Sequence, residues 1–239
     1  MHPEQLLAAV LIITVSTLVR STFGFGDALI AMPLLTLVAG VTIATPLVGL
    51  VALTTAATIV IGNWRLIDLK AAWRLIVASL IGIPFGLYLL QTAPESLVKR
   101  ILGLLLIGFS LYNLTRPQLP YLTESKLAYP FGFVAGILGG AYNTNGPPVV
   151  VYGTLRRWQP TRFRATLQGY FLPTSLFIAS GHALSGFWTS DVLRAYGWSI
   201  PFVFGAIFVG GQLNRRLPVA QFIRILYVVL MILGILLMV

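Results

Sequence analysis

Cysteine is absent from the 239 residues, which excludes disulfides, thiol catalysis and thiolate metal sites. Charge is scarce as well. Asp, Glu, Lys and Arg make up 9% of the chain, against about 25% in a typical soluble domain. Only six residues are acidic, mostly in loops, and two are histidine. That is thin material for a catalytic or metal-binding constellation. No H-E-x-x-H, G-x-S-x-G or G-x-x-x-x-G-K-[ST] sequence occurs, so neither those hydrolytic mechanisms nor phosphate-loop ATP hydrolysis has a basis here. No enzyme, metal or cofactor is called for.

What is present is hydrophobic. Apolar residues form 57% of the chain, in runs long enough to sit in a bilayer, which predicts an all-α polytopic membrane protein. The first residues, Met1-His2-Pro3-Glu4, lack the basic segment of a signal peptide. No small-residue cleavage pattern closes the first run, so it is expected to remain as mature structure. The net charge of +10 is read as topogenic and lipid-facing, with no nucleic acid as partner, because Lys and Arg cluster in short loops between spans.

Two apolar segments are interrupted. The stronger break is Gly139-Gly140-Ala141-Tyr142-Asn143-Thr144-Asn145-Gly146-Pro147-Pro148, and a weaker one is Gly24-Phe25-Gly26-Asp27 followed by Met32-Pro33. Gly and Pro weaken a helix interior. Backbone opened at membrane depth is tolerated only where protein buries it or a wet cavity satisfies it. Interrupted segments in corresponding places of two halves point to a transporter's binding site. Setting Gly140 on Gly26 also sets Pro147 on Pro33, 114 positions apart. Further along, Pro94 and Pro218, Arg100 and Arg224, and Gly86 and Gly210 recur at 124 positions. Asp68 and Asp191 recur at 123. This predicts one membrane domain over 1–239 built from two repeats, about 1–115 and about 126–239, joined by a polar linker.

Spans are expected near residues 43–61, 73–91, 97–114, 166–184, 192–212 and 219–238, with short apolar segments at 5–19 and 28–39 and a broken element near 128–155. If both broken elements cross the membrane, the loop cations divide nine to six. If both are re-entrant hairpins, they divide twelve to three, the split that the positive-inside rule prefers. Each half then makes three crossings. The fold expected is two inverted repeats, each a broken or re-entrant helical hairpin followed by three transmembrane helices.

The two breaks carry a resemblance. "STFGFGDALIAMPLL" and "GFVAGILGGAYNTNGPPVVVYG" are similar to the paired signatures of the TauE/SafE family, the sulfite exporter or 4-toluene sulfonate uptake permeases. "FRATLQGYFLPT" and the terminal "LNRRLP" extend the similarity over essentially the whole chain. The resemblance implies movement of small sulfur-containing anions, such as sulfite, sulfonates and sulfoacetate-like compounds, across the bacterial inner membrane. The glycine run at Gly24-Phe25-Gly26-Asp27 is sparser than in many members.

Helix N-termini attract anions, and the segments restarting after Gly26 and Gly146 offer two. Asn143, Thr144 and Asn145 can donate through their side chains, or can simply cap a broken helix. Asp27 is read either as an N-cap or as a protonatable carboxylate for ion coupling. Arg20 either binds an anion, pairs with Asp27 or snorkels to the interface. Gln168 faces a cavity or bonds between helices. His182 is a proton relay or, by preference, an interfacial hydrogen-bonded residue. The leading function is a secondary transporter, and the alternative is a passive anion channel. Gly108, Gly205 and Gly210 could pack spans within the chain or between subunits, leaving a homo-oligomer open.

Overall fold

A computed structural model describes residues 1–115, 121–214 and 219–238, with the side chains of 63, 160, 161 and 219–226 outside that description. Arg116, Arg215, Arg216 and Pro218, used in the loop-charge and repeat comparisons, lie outside the described residues. The described chain is helical, without strands. Its helices are α1 (Pro3–Phe23), α2 (Asp27–Ala39), α3 (Val41–Asn63), α4 (Leu69–Thr92) and α5 (Glu95–Thr115), then α6 (Ala128–Tyr142), α7 (Gly146–Leu155), α8 (Pro160–Leu184), α9 (Ser190–Asn214) and α10 (Val219–Leu236). Five of them, α1, α3, α4, α5 and α9, are long and apolar enough to cross a membrane. The chain is a multi-pass membrane protein.

α8 is the informative exception. Its 25 residues would reach about 37 Å at 1.5 Å per residue, yet it carries Arg162, Arg164, Thr166, Gln168, Thr174, Ser175 and His182. A span can hold so many polar groups only by turning them toward protein, and Thr166, Gln168, Thr174, Ser175 and His182 are all buried. It also starts six residues before the expected 166, because Pro160 opens the helix at a position where its missing N–H costs nothing.

Both breaks reverse the chain. α2 returns beside α1, so that the Gln5 side chain donates to the Val38 carbonyl at 3.0 Å. α7 returns toward the start of α6, where the Leu122 N–H meets the Leu155 carbonyl at 3.1 Å. The helix ends consequently fall into two groups. One holds the N-terminus against Asp191, Gln91 against Ser185, and Glu95 near Val41. The other holds Asp68 against Thr166 and the paired Leu122 and Leu155. Arg65, Lys70, Arg74, Lys126, Arg156, Arg157 and Arg162 belong to helix ends of the second group, Lys99, Arg100 and Arg194 to the first.

Glycine decides how the helices pack. α6 lies on α4, and α9 on α1. Gly132, Gly136 and Gly140 of α6 recur every four residues on one face, opposite Gly82 and Gly86 of α4. A Cβ on Gly132 would sit 2.5 Å from the Leu75 carbonyl oxygen, and one on Gly136 would sit 2.8 Å from the Ser79 Cα. Small residues at this spacing let two backbones touch, the strongest packing available where lipid removes the hydrophobic drive. Gly210 does the same for α9, its Cβ position lying 2.6 Å from the Ser21 Cβ. Gly86 and Gly210, matched in sequence, therefore fill the same role. Gly108 and Gly205, by contrast, have nothing within 4 Å of a Cβ.

The structure corrects one register. α2 begins at Asp27 and α7 at Gly146, so the breaks are 119 positions apart, not 114. Gly140 does not correspond to Gly26. It packs inside α6 against Ile83 of α4, as Ser21 packs against Gly210. The matching of prolines misled the sequence comparison: Pro33 lies inside α2, while Pro147 opens α7.

Candidate functional site

Each break is a turn that its residues dictate. Gly24 and Gly26 have φ of +91° and +102°, left-handed values that glycine adopts without strain. Gly24 closes α1 by donating to the Arg20 carbonyl. At the second break Asn143 takes the left-handed position, φ +55°, one of the few other residues suited to it. Its N–H returns to Gly139 at 2.8 Å, the closure of an αL cap, and that of Thr144 reaches Leu138 at 3.3 Å. Gly146, Pro147 and Pro148 then open α7.

The two tips meet. Arg20, Gly26, Asp27, Asn143, Thr144, Asn145 and Gly146 line one cavity of ≈ 20 Å³. Gln168 joins them through Arg20. Sequence reasoning missed Ala52 on α3 and Phe171 and Ser175 on α8, which complete the wall. Phe171 and Ser175 follow Gln168 by three and seven residues, a helical-face spacing that could have flagged them.

Arg20 is the electrostatic centre. It is 2% exposed, and its Nη1 donates to Asp27 Oδ2 at 2.7 Å. Its Nη2 donates to Gln168 Oε1 at 3.0 Å, and the guanidinium carbon lies 4.8 Å from the centre of the Phe171 ring. Nε has no partner. Arg20 is thus the partner of Asp27, and the snorkelling interfacial reading is wrong: the side chain is buried against Asp27 of α2 and Gln168 and Phe171 of α8. The N-cap reading of Asp27 also fails. Gly26 occupies the cap and Asp27 is the first helical residue, with no side-chain cap bond formed. Its carboxylate still gains from the α2 dipole.

The polar side chains of the second tip are committed to protein. Asn143 Nδ2 donates to the Thr45 carbonyl at 2.6 Å, and Asn145 Nδ2 to Thr174 Oγ1 at 3.2 Å. Thr144 Oγ1 lies 3.4 Å from the Leu138 carbonyl. Asn145 makes no side-chain cap bond to α7. The prolines at 147 and 148 remove two of the N–H groups that a helix start would otherwise offer. The start of α2, with Asp27, Ala28 and Leu29 facing the cavity, is the richer source of backbone donors.

Gln168 donates its Nε2 to the Gly24 carbonyl at 2.7 Å while accepting from Arg20. It bonds between helices at the edge of the site and is not among the residues that line the tip cavity. His182 is not interfacial. It is fully buried, and its Nδ1 and Asn143 Oδ1 both approach Gly49, each 3.2 Å from a Cβ placed there. It faces the Gly140 carbonyl without a well-formed hydrogen bond, outside the cavity wall.

Two broken helix pairs thus meet inside a helical bundle around a buried ion pair and two helix starts, an arrangement in keeping with a membrane transport protein. Residues 8–237 match the family described as sulfite exporter TauE/SafE, and the chain belongs to it. Comparison with curated proteins and with solved structures gave no significant match.

Proposed function

We propose that the chain is a secondary transporter for small sulfur-containing oxyanions, sulfite and organosulfonates such as sulfoacetate, in the bacterial inner membrane. The substrate is held between the two tips. The observation that carries this is the cavity that both tips line around Arg20 and Asp27. The two halves are read as inverted repeats. In support, each hairpin returns to its own side, and the packing partners exchange between halves: α1 with α9 and α6 with α4, α3 with α8, α5 with α10.

Coupling follows from the ion pair. Arg20 is neutralised by Asp27 in this structure. An incoming anion takes over the guanidinium, and two anions on one buried cation are unfavourable at low dielectric. Asp27 then accepts a proton from water, so one anion moves with one proton. A cavity of ≈ 20 Å³ holds about one water and is too small for a sulfonate headgroup. The tips must part to bind and close again to exclude water, which favours a carrier over the passive channel.

The test is thermal stabilisation of the purified protein by sulfite, thiosulfate, sulfoacetate, taurine, sulfate and chloride at two pH values. A ligand that binds only the folded state raises the melting point. A selective rise with sulfite or one sulfonate, larger at the lower pH, is expected. Equal shifts with all anions, or none, would remove the carrier site.

A further inference from the structure

The first tip has a second cavity behind it. It measures ≈ 400 Å³ and lies between α1, α3, α8 and α9, lined by Ser21, Thr58, Arg164, Gln168, Gly211 and Asn214 among others. No described lining residue is acidic. Arg164 lies across the Gly24 turn, its Cγ 3.1 Å from a Cβ placed there. Its Nη2 donates to the Ser21 carbonyl at 2.9 Å. Its Nε is buried without a partner, and none of the described ion pairs includes it. The Ser21 hydroxyl is also buried and unpartnered. A cation and a hydroxyl stand together at the edge of the span with no counter-charge. Such an arrangement is stable only where an anion or water supplies what the protein omits.

Arg164 and Gln168 are four residues apart on α8, hence on one face. Gln168 lines this larger cavity and also holds Arg20, which lines the tip cavity. One side chain therefore separates the two cations.

We propose that this cavity is a vestibule with an anion-binding subsite of its own, centred on Arg164, opening toward the arginine-rich helix ends. A small oxyanion docks at Arg164 before Gln168 releases Arg20 and lets it pass to the tips. The inference rests on the carrier reading for its purpose. Its test measures anion access and not transport, so either can fail alone.

The cysteine-free chain allows a direct measurement. Gly211 lines the vestibule, and a Cβ there meets nothing within 4 Å, so Gly211→Cys places the protein's single thiol in open space. Its rates with methanethiosulfonate ethylsulfonate (anionic) and the trimethylammonium analogue (cationic) are measured on purified protein and normalised to a small thiol in solution. The anionic reagent is expected to be favoured by about tenfold or more, as a focused field of one sign produces. Adding Arg164→Gln should bring the ratio within about twofold of the free thiol, Arg164→Lys should restore it, and ethanesulfonate should slow the reaction saturably. Thr58→Cys, on the opposite wall, serves if Gly211→Cys is not recovered as a monodisperse protein. An anionic preference unaffected by Arg164→Gln, no protection by ethanesulfonate, or thiols that neither reagent reaches would each overturn the proposal.

Discussion

Gly86→Ala isolates the contact on which the second tip stands. A Cβ at Gly86 would run into the Ile137 carbonyl oxygen, with the Ala141 nitrogen at 2.8 Å and the Ile137 carbonyl carbon at 2.9 Å. All three are backbone atoms, so no rotamer change relieves them. α6 must withdraw by about 0.5 Å, which forfeits roughly a quarter to a half of each dispersion contact along the seam. Overpacking of this kind costs about 1–3 kcal/mol, while replacing glycine in a helix returns about 0.5–1 kcal/mol. The net expectation is a loss of about 0–2.5 kcal/mol, the difference of those two ranges. Gly108→Ala is the internal control. With nothing within 4 Å it should be neutral or stabilising by about 0.5–1 kcal/mol. Equilibrium unfolding in mixed detergent, followed by far-ultraviolet circular dichroism, gives both values. Because Ile137 and Ala141 lie within six residues of Asn143, Gly86→Ala should also weaken anion-induced stabilisation. If Gly86→Ala proves as stable as Gly108→Ala, the close approach of α4 and α6 is wrong, and with it the placement of the second tip.

Asn145→Ala should lose about 0.5–1.5 kcal/mol, one hydrogen bond to Thr174, and bind sulfite or sulfonate more weakly while remaining folded; unchanged affinity by thermal shift would take the second tip out of the site. Asp27→Asn leaves Arg20 without its counter-charge, and such a break costs about 3–5 kcal/mol. An anion then becomes that counter-charge, so the ligand-induced rise in melting point should exceed wild type, while transport in proteoliposomes should stop responding to a proton gradient. Full coupling in Asp27→Asn would refute the carboxylate mechanism. His182→Leu removes a buried ring that makes no well-formed bond. It should keep a near-native melting point and proton-driven transport; loss of transport alone would make His182 a relay.

The breaks were legible because glycine and proline at membrane depth have few structural uses. Helix order followed from hydropathy, which acts over neighbouring residues. What joins the tips was not legible. Arg20 meets Asp27 seven residues away and Gln168 a hundred and forty-eight away; the first pairing could be listed among alternatives, whereas the second depends on how α8 packs. Arg164 stands in an arginine-rich stretch with Arg156, Arg157 and Arg162, and only the helix there puts it on one face with Gln168. His182 was placed at the interface because it comes late in its span, but α3 and α6 cover it. The 114-position register failed because two prolines matched by chance, while packing equates Ser21 with Gly140, a serine with a glycine.

The crossing of partners between halves bears on how the protein is made. α1 leaves the ribosome well before the helix it rests on, α9, which ends at Asn214. The glycine face of α4 likewise waits for α6. Until most of the chain has been inserted, the first hairpin has neither α9 behind it nor Gln168 on its tip, and Arg20 has only Asp27 for company. The close Arg20–Asp27 pair, seven residues apart, thus supplies early charge neutrality during insertion. A fragment ending at Thr115 would leave α1 and α4 without these partners, so neither part of the chain is expected to assemble alone.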